Sequence, residues 1–140
     1  VLRATIDTNV LVSAIVYPRG NPRRILQMAL AGEINLTVSQ PILDEMADVL
    51  ARKFDATPLE VEEARAIVTQ AARTVKPSVR LDVVKADPDD DRILECAVTA
   101  GSDVIVTGDK DLLRLGSYDS IRILNPSDFV DLVQGQGRVI

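Results

Sequence analysis

The stretch Val104–Leu113, VIVTGDKDLL, limits the possible folds more than any other. Three apolar, β-branched residues run straight into Thr-Gly-Asp and a polar turn. An apolar run without polar alternation is the pattern of a strand buried on both faces of a parallel sheet. Parallel strands cannot be joined by tight hairpins, so helices must cross over between them. Ligands of such sheets bind just beyond the carboxyl ends of the strands. Asp109 stands at one such exit. Asp7 stands at another, after Ala4-Thr5-Ile6.

The rest of the chain supplies the alternation this requires. Residues 2–7 read as a first strand, and Thr8 or Asn9 can cap a helix over VLVSAIV. Tyr17–Pro22, with two prolines and Gly20, reads as a loop before a helix from Arg23 to Ala31, stopped at Gly32. Ile34–Val38 is a second strand, and Ser39 precedes a helix with Pro41 in its first turn that reaches Lys53. Thr57 and Glu60 form a capping box for a helix that continues to Val75 and ends before Pro77. Val79–Val83 is expected as a third strand. A helix from Asp87-Pro88 to Ala100 is closed by Gly101, and Asp103–Thr107 follows as the fourth strand. A short helix at Lys110–Leu115, a fifth strand at Ile121–Leu124 and a helix from Asn125-Pro126-Ser127 to Val133 complete the pattern. The expected fold is α/β, a three-layer α/β/α sandwich around a mostly parallel sheet of four to five strands. One domain over residues 1–133 accounts for the length, with 134–140 as a loose tail.

Composition narrows the chemistry. The chain has no histidine and one cysteine. That removes Ser-His and Cys-His nucleophiles, histidine acid–base pairs and nearly all zinc sites. Cys96 lies within an apolar helical pattern and reads as a buried structural thiol, compatible with a reducing compartment. There is no signal-peptide pattern, and the apolar run Val10–Val16 is too short to span a membrane, so a cytoplasmic location is expected. Sixteen basic against twenty-one acidic residues give a formal charge of −5, mildly unfavourable for nucleic-acid binding unless bound cations reverse the local sign.

Carboxylates remain in quantity. Asp87, Asp89, Asp90 and Asp91 crowd the first turn of one helix, where acids favour the positive end of the helix dipole. Asp87, before Pro88, suits the N-cap. Ile93, Leu94, Ala97 and Val98 define the buried stripe, which places Asp90 near its centre, Asp91 at its margin and Asp89 off it. An inward acid is costly unless paired or bound to metal, so Asp90 is the functional candidate and Asp91 its alternative. On the Pro41–Lys53 helix Asp44 and Glu45 both flank the apolar stripe, and pattern alone does not choose between them. Asp111 is a further acid near Asp109. Carboxylates without His or Cys select a hard cation, Mg²⁺ or Mn²⁺, and such sites suit phosphoryl chemistry.

The segments DTNVLVSAI at Asp7–Ile15, SQPILDEMADVLARKF at Ser39–Phe54, DPDDDRILECA at Asp87–Ala97, IVTGDKDLL at Ile105–Leu113 and ILNPSDFVDLV near the end resemble the PIN-domain ribonucleases. Within that family they are most similar to the VapC-like toxins of bacterial toxin–antitoxin pairs. The resemblance implies a metal site of Asp7, Glu45 rather than Asp44, Asp90 and Asp109. It implies that Asn9 and Thr107 orient ligands or waters and that Asp87 lies behind the ligands. It further implies Mg²⁺- or Mn²⁺-dependent endonucleolytic hydrolysis of RNA, a small antitoxin that covers the site, and a homodimer. Arg19, Arg23, Arg24, Arg52, Lys53 and Lys110 are the basic residues nearest these elements, of which Arg19, Arg23, Arg24 and Lys110 are candidates to follow an RNA backbone. The alternatives are weaker. A haloacid-type phosphatase needs an acid at position 9, which is Asn, and a receiver domain needs an acid pair after the first strand. A non-catalytic PIN-fold adaptor that binds RNA or protein is the rival from another class, and the full acid set argues against it.

Overall fold

A computed structural model of the chain describes residues 1–85 and 87–136. Six strands form one sheet: β1 (Arg3–Ile6), β2 (Asn35–Ser39), β3 (Ala72–Val75), β4 (Val104–Val106), β5 (Ser117–Tyr118) and β6 (Ile121–Leu124). Their order is β3-β2-β1-β4-β6-β5, parallel throughout except for the β5–β6 pair. The helices are α1 (Thr8–Val16), α2 (Asn21–Leu30), α3 (Gln40–Phe54), α4 (Pro58–Ala71), α5 (Pro88–Ala100), α6 (Lys110–Leu115) and α7 (Pro126–Gln136). The α/β sandwich expected from the alternating pattern is present, with six strands in place of four to five.

Burial explains why the strands are apolar throughout. Ala4, Thr5 and Ile6 of β1 are fully buried, as are Ile105 and Val106 of β4. The helices α1 to α4 pack on one another, while α5 lies across β1, β2, β3 and β4. On the face toward α5, the Thr5 hydroxyl meets those of Thr37 and Ser102, each at 2.8 Å, so the polar groups between sheet and helix satisfy one another. Cys96 lies beside them, and burial pushes its thiol up to about 11, as suits a structural residue. Among the described residues no helix is long and apolar enough to cross a membrane.

Local chemistry sets most helix ends. Ser39 caps α3, Thr57 and Glu60 form the capping box of α4, and Gly101 closes α5 at φ 66°. Asp7 itself, rather than Thr8 or Asn9, is the N-cap of α1.

Two expectations fail in one region. The helix expected to reach Val75 ends at Ala71, and Ala72–Val75 becomes the edge strand β3 beside β2. No glycine or proline marks that exit, so helical periodicity ran on through it; β-branched Thr74 and Val75 suit the strand that β2 stabilises. The strand expected at Val79–Val83 is absent, because the ladder position beside β2 is already filled. The short strand β5, antiparallel at the other edge, was not anticipated. The helix α7 passes the boundary expected at Val133 and reaches Gln136; the remainder of the expected tail, 137–140, lies outside the described residues.

Phe129 on α7 is fully buried against the common core. Phe129→Ala is expected to lower the free energy of unfolding by about 3–5 kcal/mol, measured by urea denaturation.

Candidate metal centre

The strand order reverses between β1 and β4, and the two strands end side by side, Ile6 opposite Val106. The turns that leave them therefore open one crevice. Asp7 leaves β1 into α1, and Thr107-Gly108-Asp109 leaves β4 into α6. A hydrogen-bond chain joins the two exits. The Thr107 hydroxyl donates to Asp7 Oδ2 at 2.6 Å and accepts from the Asp109 amide at 2.9 Å. The other oxygen of Asp7 accepts from the Thr8 amide at 2.6 Å. Asn9 Oδ1 accepts from the Gly108 amide at 3.4 Å and so holds the β4 turn against α1.

Asp109 caps α6, accepting from the Asp111 and Leu112 amides at 2.8 and 3.2 Å through Oδ1 alone. Its second oxygen is left for the crevice. Opposite stands the first turn of α5. Asp87 caps that helix through the Asp89 amide at 3.0 Å. One carboxylate oxygen from each of Asp87, Asp90 and Asp109 lies within 4.8 Å of the other two. Asp90 is buried, and its Oδ2 has no hydrogen-bond partner. A buried, unpartnered carboxylate oxygen inside a group of three acids is a vacancy in bonding that a hard cation fits.

The electrostatics agree. Burial, followed by the charges of Asp109, Asp87 and Asp7, pushes the Asp90 carboxyl up to about 8. Asp7 is also raised, first by burial and partly offset by its bonds from Thr107 and the Thr8 amide. Glu45 is raised by burial and then by the Asp7 charge. Among the described residues none of Asp7, Glu45, Asp87, Asp90 and Asp109 forms an ion pair with Lys or Arg. Among the described residues the crevice gathers carboxyl groups without a protein counterion.

Of the four acids expected as ligands, Asp90 and Asp109 stand in this tight group. Asp7 and Glu45 are outside the group; the charge of Asp7 acts on both Asp90 and Glu45, and Glu45 Oε2 accepts from the Thr8 hydroxyl at 3.4 Å. Asp87, expected behind the ligands, also brings a carboxylate oxygen into the group while its Oδ1 caps α5. Asp44 points elsewhere, to Gln40 and Arg65. Asp91 is buried but turned away, its Oδ1 accepting from the Val83 and Val84 amides. Asp111 pairs with Arg114 at 3.0 Å.

The basic candidates divide similarly. Arg23 bonds the Ala14 carbonyl through Nε and the Ile15 carbonyl through Nη2, so it caps the C-terminal end of α1. Arg52 pairs with Asp48 at 2.7 Å. Arg19, Arg24, Lys53 and Lys110 are exposed.

Comparison with known proteins gives a family. A family model described as a PIN domain matches residues 3–111. An uncharacterized protein of Methanocaldococcus jannaschii, MJ1680, is 25% identical over 142 residues, spanning 93% of this chain and 90% of that one. The crystal structure of VapBC2 from Rickettsia felis, bound to a DNA fragment from their promoter, contains a chain of similar fold. The TM-score is 0.64 at 15% identity, with 89% of this chain and 98% of that one covered.

The raised carboxyls predict an unusual pH dependence. Between about 4 and about 8 the folded protein holds a proton on Asp90 that the unfolded chain has released, so stability falls as pH rises. Asp7 and Glu45 act in the same sense. Asp48 and Glu60, held low by their bonds to Arg52 and Thr57, act in the opposite sense, but only up to about their ordinary values of 3.8 and 4.5, at the acid end of this window. In EDTA the melting temperature is expected to decline from about pH 5 to about pH 8, and Asp90→Asn should flatten the decline. A melting temperature that climbs over that interval contradicts the assignment.

Proposed function

This chain belongs to the PIN-domain family, and from that premise we propose that it is a metal-dependent endoribonuclease, the toxin of a toxin–antitoxin pair. The observation that carries the reading is the buried Asp90, whose Oδ2 has no hydrogen-bond partner and whose carboxylate comes within 4.8 Å of those of Asp87 and Asp109. Asp87, Asp90 and Asp109 would hold Mg²⁺ or Mn²⁺, with Asp7 and Glu45 completing the acidic surround. A divalent cation bound there supplies acidification of water and neutralisation of negative charge on a phosphodiester in hydrolysis.

The chain's own residues do the placing. Thr107, bonded to both Asp7 and the Asp109 turn, holds the β1 and β4 acids at a fixed separation. Asn9 holds Gly108, the residue before Asp109, against α1. The buried strands behind them, Ile6 and Val106, keep water from the back of the site, which strengthens every charge interaction in front. An anionic RNA strand approaching these acids is repelled until cation is present, so substrate binding and metal binding are coupled by charge.

Arg19, Arg24 and Lys110, all exposed, are the residues proposed to follow the RNA backbone. Arg23 is committed to the end of α1, where it bonds the Ala14 and Ile15 carbonyls. The partner proposed is a small antitoxin that masks the acids, and the likeness in fold to a chain of the VapBC2 structure supports looking for one. A cytoplasmic homodimer is the proposed form, and one PIN domain the proposed working unit.

Asp109→Asn keeps an oxygen for the α6 cap but removes a charge from the triad. Cleavage of structured RNA in Mg²⁺ is expected to fall by more than the roughly 10–100-fold that loss of an outer partner costs a metal site. EDTA should stop the wild-type reaction, and Mn²⁺ should restore it. Cleavage that continues undiminished in EDTA, or in Asp109→Asn, would refute the proposal.

A further inference from the structure

We propose that Asp91 is a positioning residue: it is the last rung of a side-chain ladder on α5, made with Glu95 and Thr99, that fastens residues 78–84, and this last rung sets Asp87 in the acid triad. The inference rests on the metal-centre reading above. These three residues lie four apart, on one stripe of the helix. Each accepts from a backbone amide of the preceding segment. Ser78 donates to Thr99 Oγ1 at 3.0 Å and Leu81 to Glu95 Oε2 at 2.8 Å. Val83 and Val84 donate to Asp91 Oδ1 at 3.0 and 2.9 Å. The order is reversed along the helix, so the segment runs antiparallel to α5 and hands the chain on to the helix N-terminus.

This segment is the one expected as a strand, and it has no sheet partner. The amides of Ser78, Leu81, Val83 and Val84 are satisfied by side chains instead. The arrangement is expensive to build. Asp91 and Glu95 are only 1% and 3% exposed, although acids are rarely buried without strong partners. Charge-assisted bonds to amides, and for Glu95 an ion pair with Arg92 at 3.0 Å, meet that cost.

The clasp bears on the site because of where it ends. Asp91 adjoins Asp90, about 100° further round the helix. With Asp91 held toward the strap, the first turn of α5 is fixed in rotation with Asp90 toward Asp109. The same two bonds anchor Val83 and Val84, four and three residues before Asp87. Loss of this rung releases both the incoming chain and the helix turn, whereas Thr99 holds the far end, three turns of helix from Asp87.

The test is Mn²⁺ binding, measured by calorimetry and EPR on the whole protein, with melting temperatures taken in EDTA. Asp91→Ala should weaken Mn²⁺ binding about 10–100-fold. Asp91→Asn, whose amide oxygen still accepts from Val83 and Val84, should rescue most of that loss. Thr99→Val should leave the affinity near that of wild type. In wild-type protein, Mn²⁺ should increase hydrogen-exchange protection at residues 83 and 84, since the coupling is reciprocal. Unchanged affinity in Asp91→Ala overturns the clasp, even if its melting temperature drops. An equal loss in Asp91→Asn also overturns it, because the charge and not the clasp would then matter. Should Asp91→Ala not fold, the exchange measurement decides alone, and protection indifferent to Mn²⁺ overturns the proposal. Wild-type protein that binds no Mn²⁺ overturns the metal centre itself and the clasp with it.

Discussion

The pairing of β1 with β4 places every other part of the site. These strands come from opposite ends of the chain, yet they lie adjacent where the sheet changes direction. Each must leave the sheet through a turn at the same edge, and each turn must cap a helix. An aspartate does both jobs in each case, since its backbone turns the chain and its carboxylate accepts from the helix amides. The Thr107 hydroxyl then locks one exit to the other. The crevice is thus a consequence of parallel β topology with acids at two exits.

What this arrangement costs is visible in the carboxyls themselves. Burial and mutual repulsion act on Asp7, Asp90 and Glu45 in one direction, and no described basic residue offsets them. Among the described residues the other buried side-chain atoms without a hydrogen bond, Nε of Arg65 and of Arg92, at least lie beside the carboxylates of Glu62 and Glu95, whereas the unpartnered oxygen of Asp90 has no counterion. Natural cores rarely tolerate such a group without return. The chain belongs to the PIN-domain family, and under the proposed function a bound cation is that return.

Helix α5 carries two acidic faces with opposite duties. Asp90 faces the crevice and lacks a partner, while Asp91 and Glu95 face residues 78–84 and are fully engaged. Adjacent aspartates with the same composition thus differ in chemistry through a rotation about the helix axis. Arg23 shows the same principle among cations: near the site in sequence terms, it is spent on the carbonyls that end α1.

The sequence alone determined the alternation of strands and helices, the capping residues at Ser39, Thr57, Asp87 and Gly101, and the inward aim of Asp90. All of these are local properties, written in periodicity and in single-residue chemistry within a few positions. Tertiary structure decided what depends on distant partners. The exit from α4 into β3 at Ala72 needs β2 beside it, and no breaker residue announces it. The Val79–Val83 segment looked like a strand because its residues suit one, but an edge already occupied by β3 left it to bond with α5. The full burial of Asp91 and Glu95 depends on residues 78–84 covering a second face of α5, which periodicity within the helix does not show. Asp87 joined the triad for a similar reason: a local cap accounts for one of its oxygens, and only the approach of Asp109, twenty-two residues on in the chain, gives the other a role.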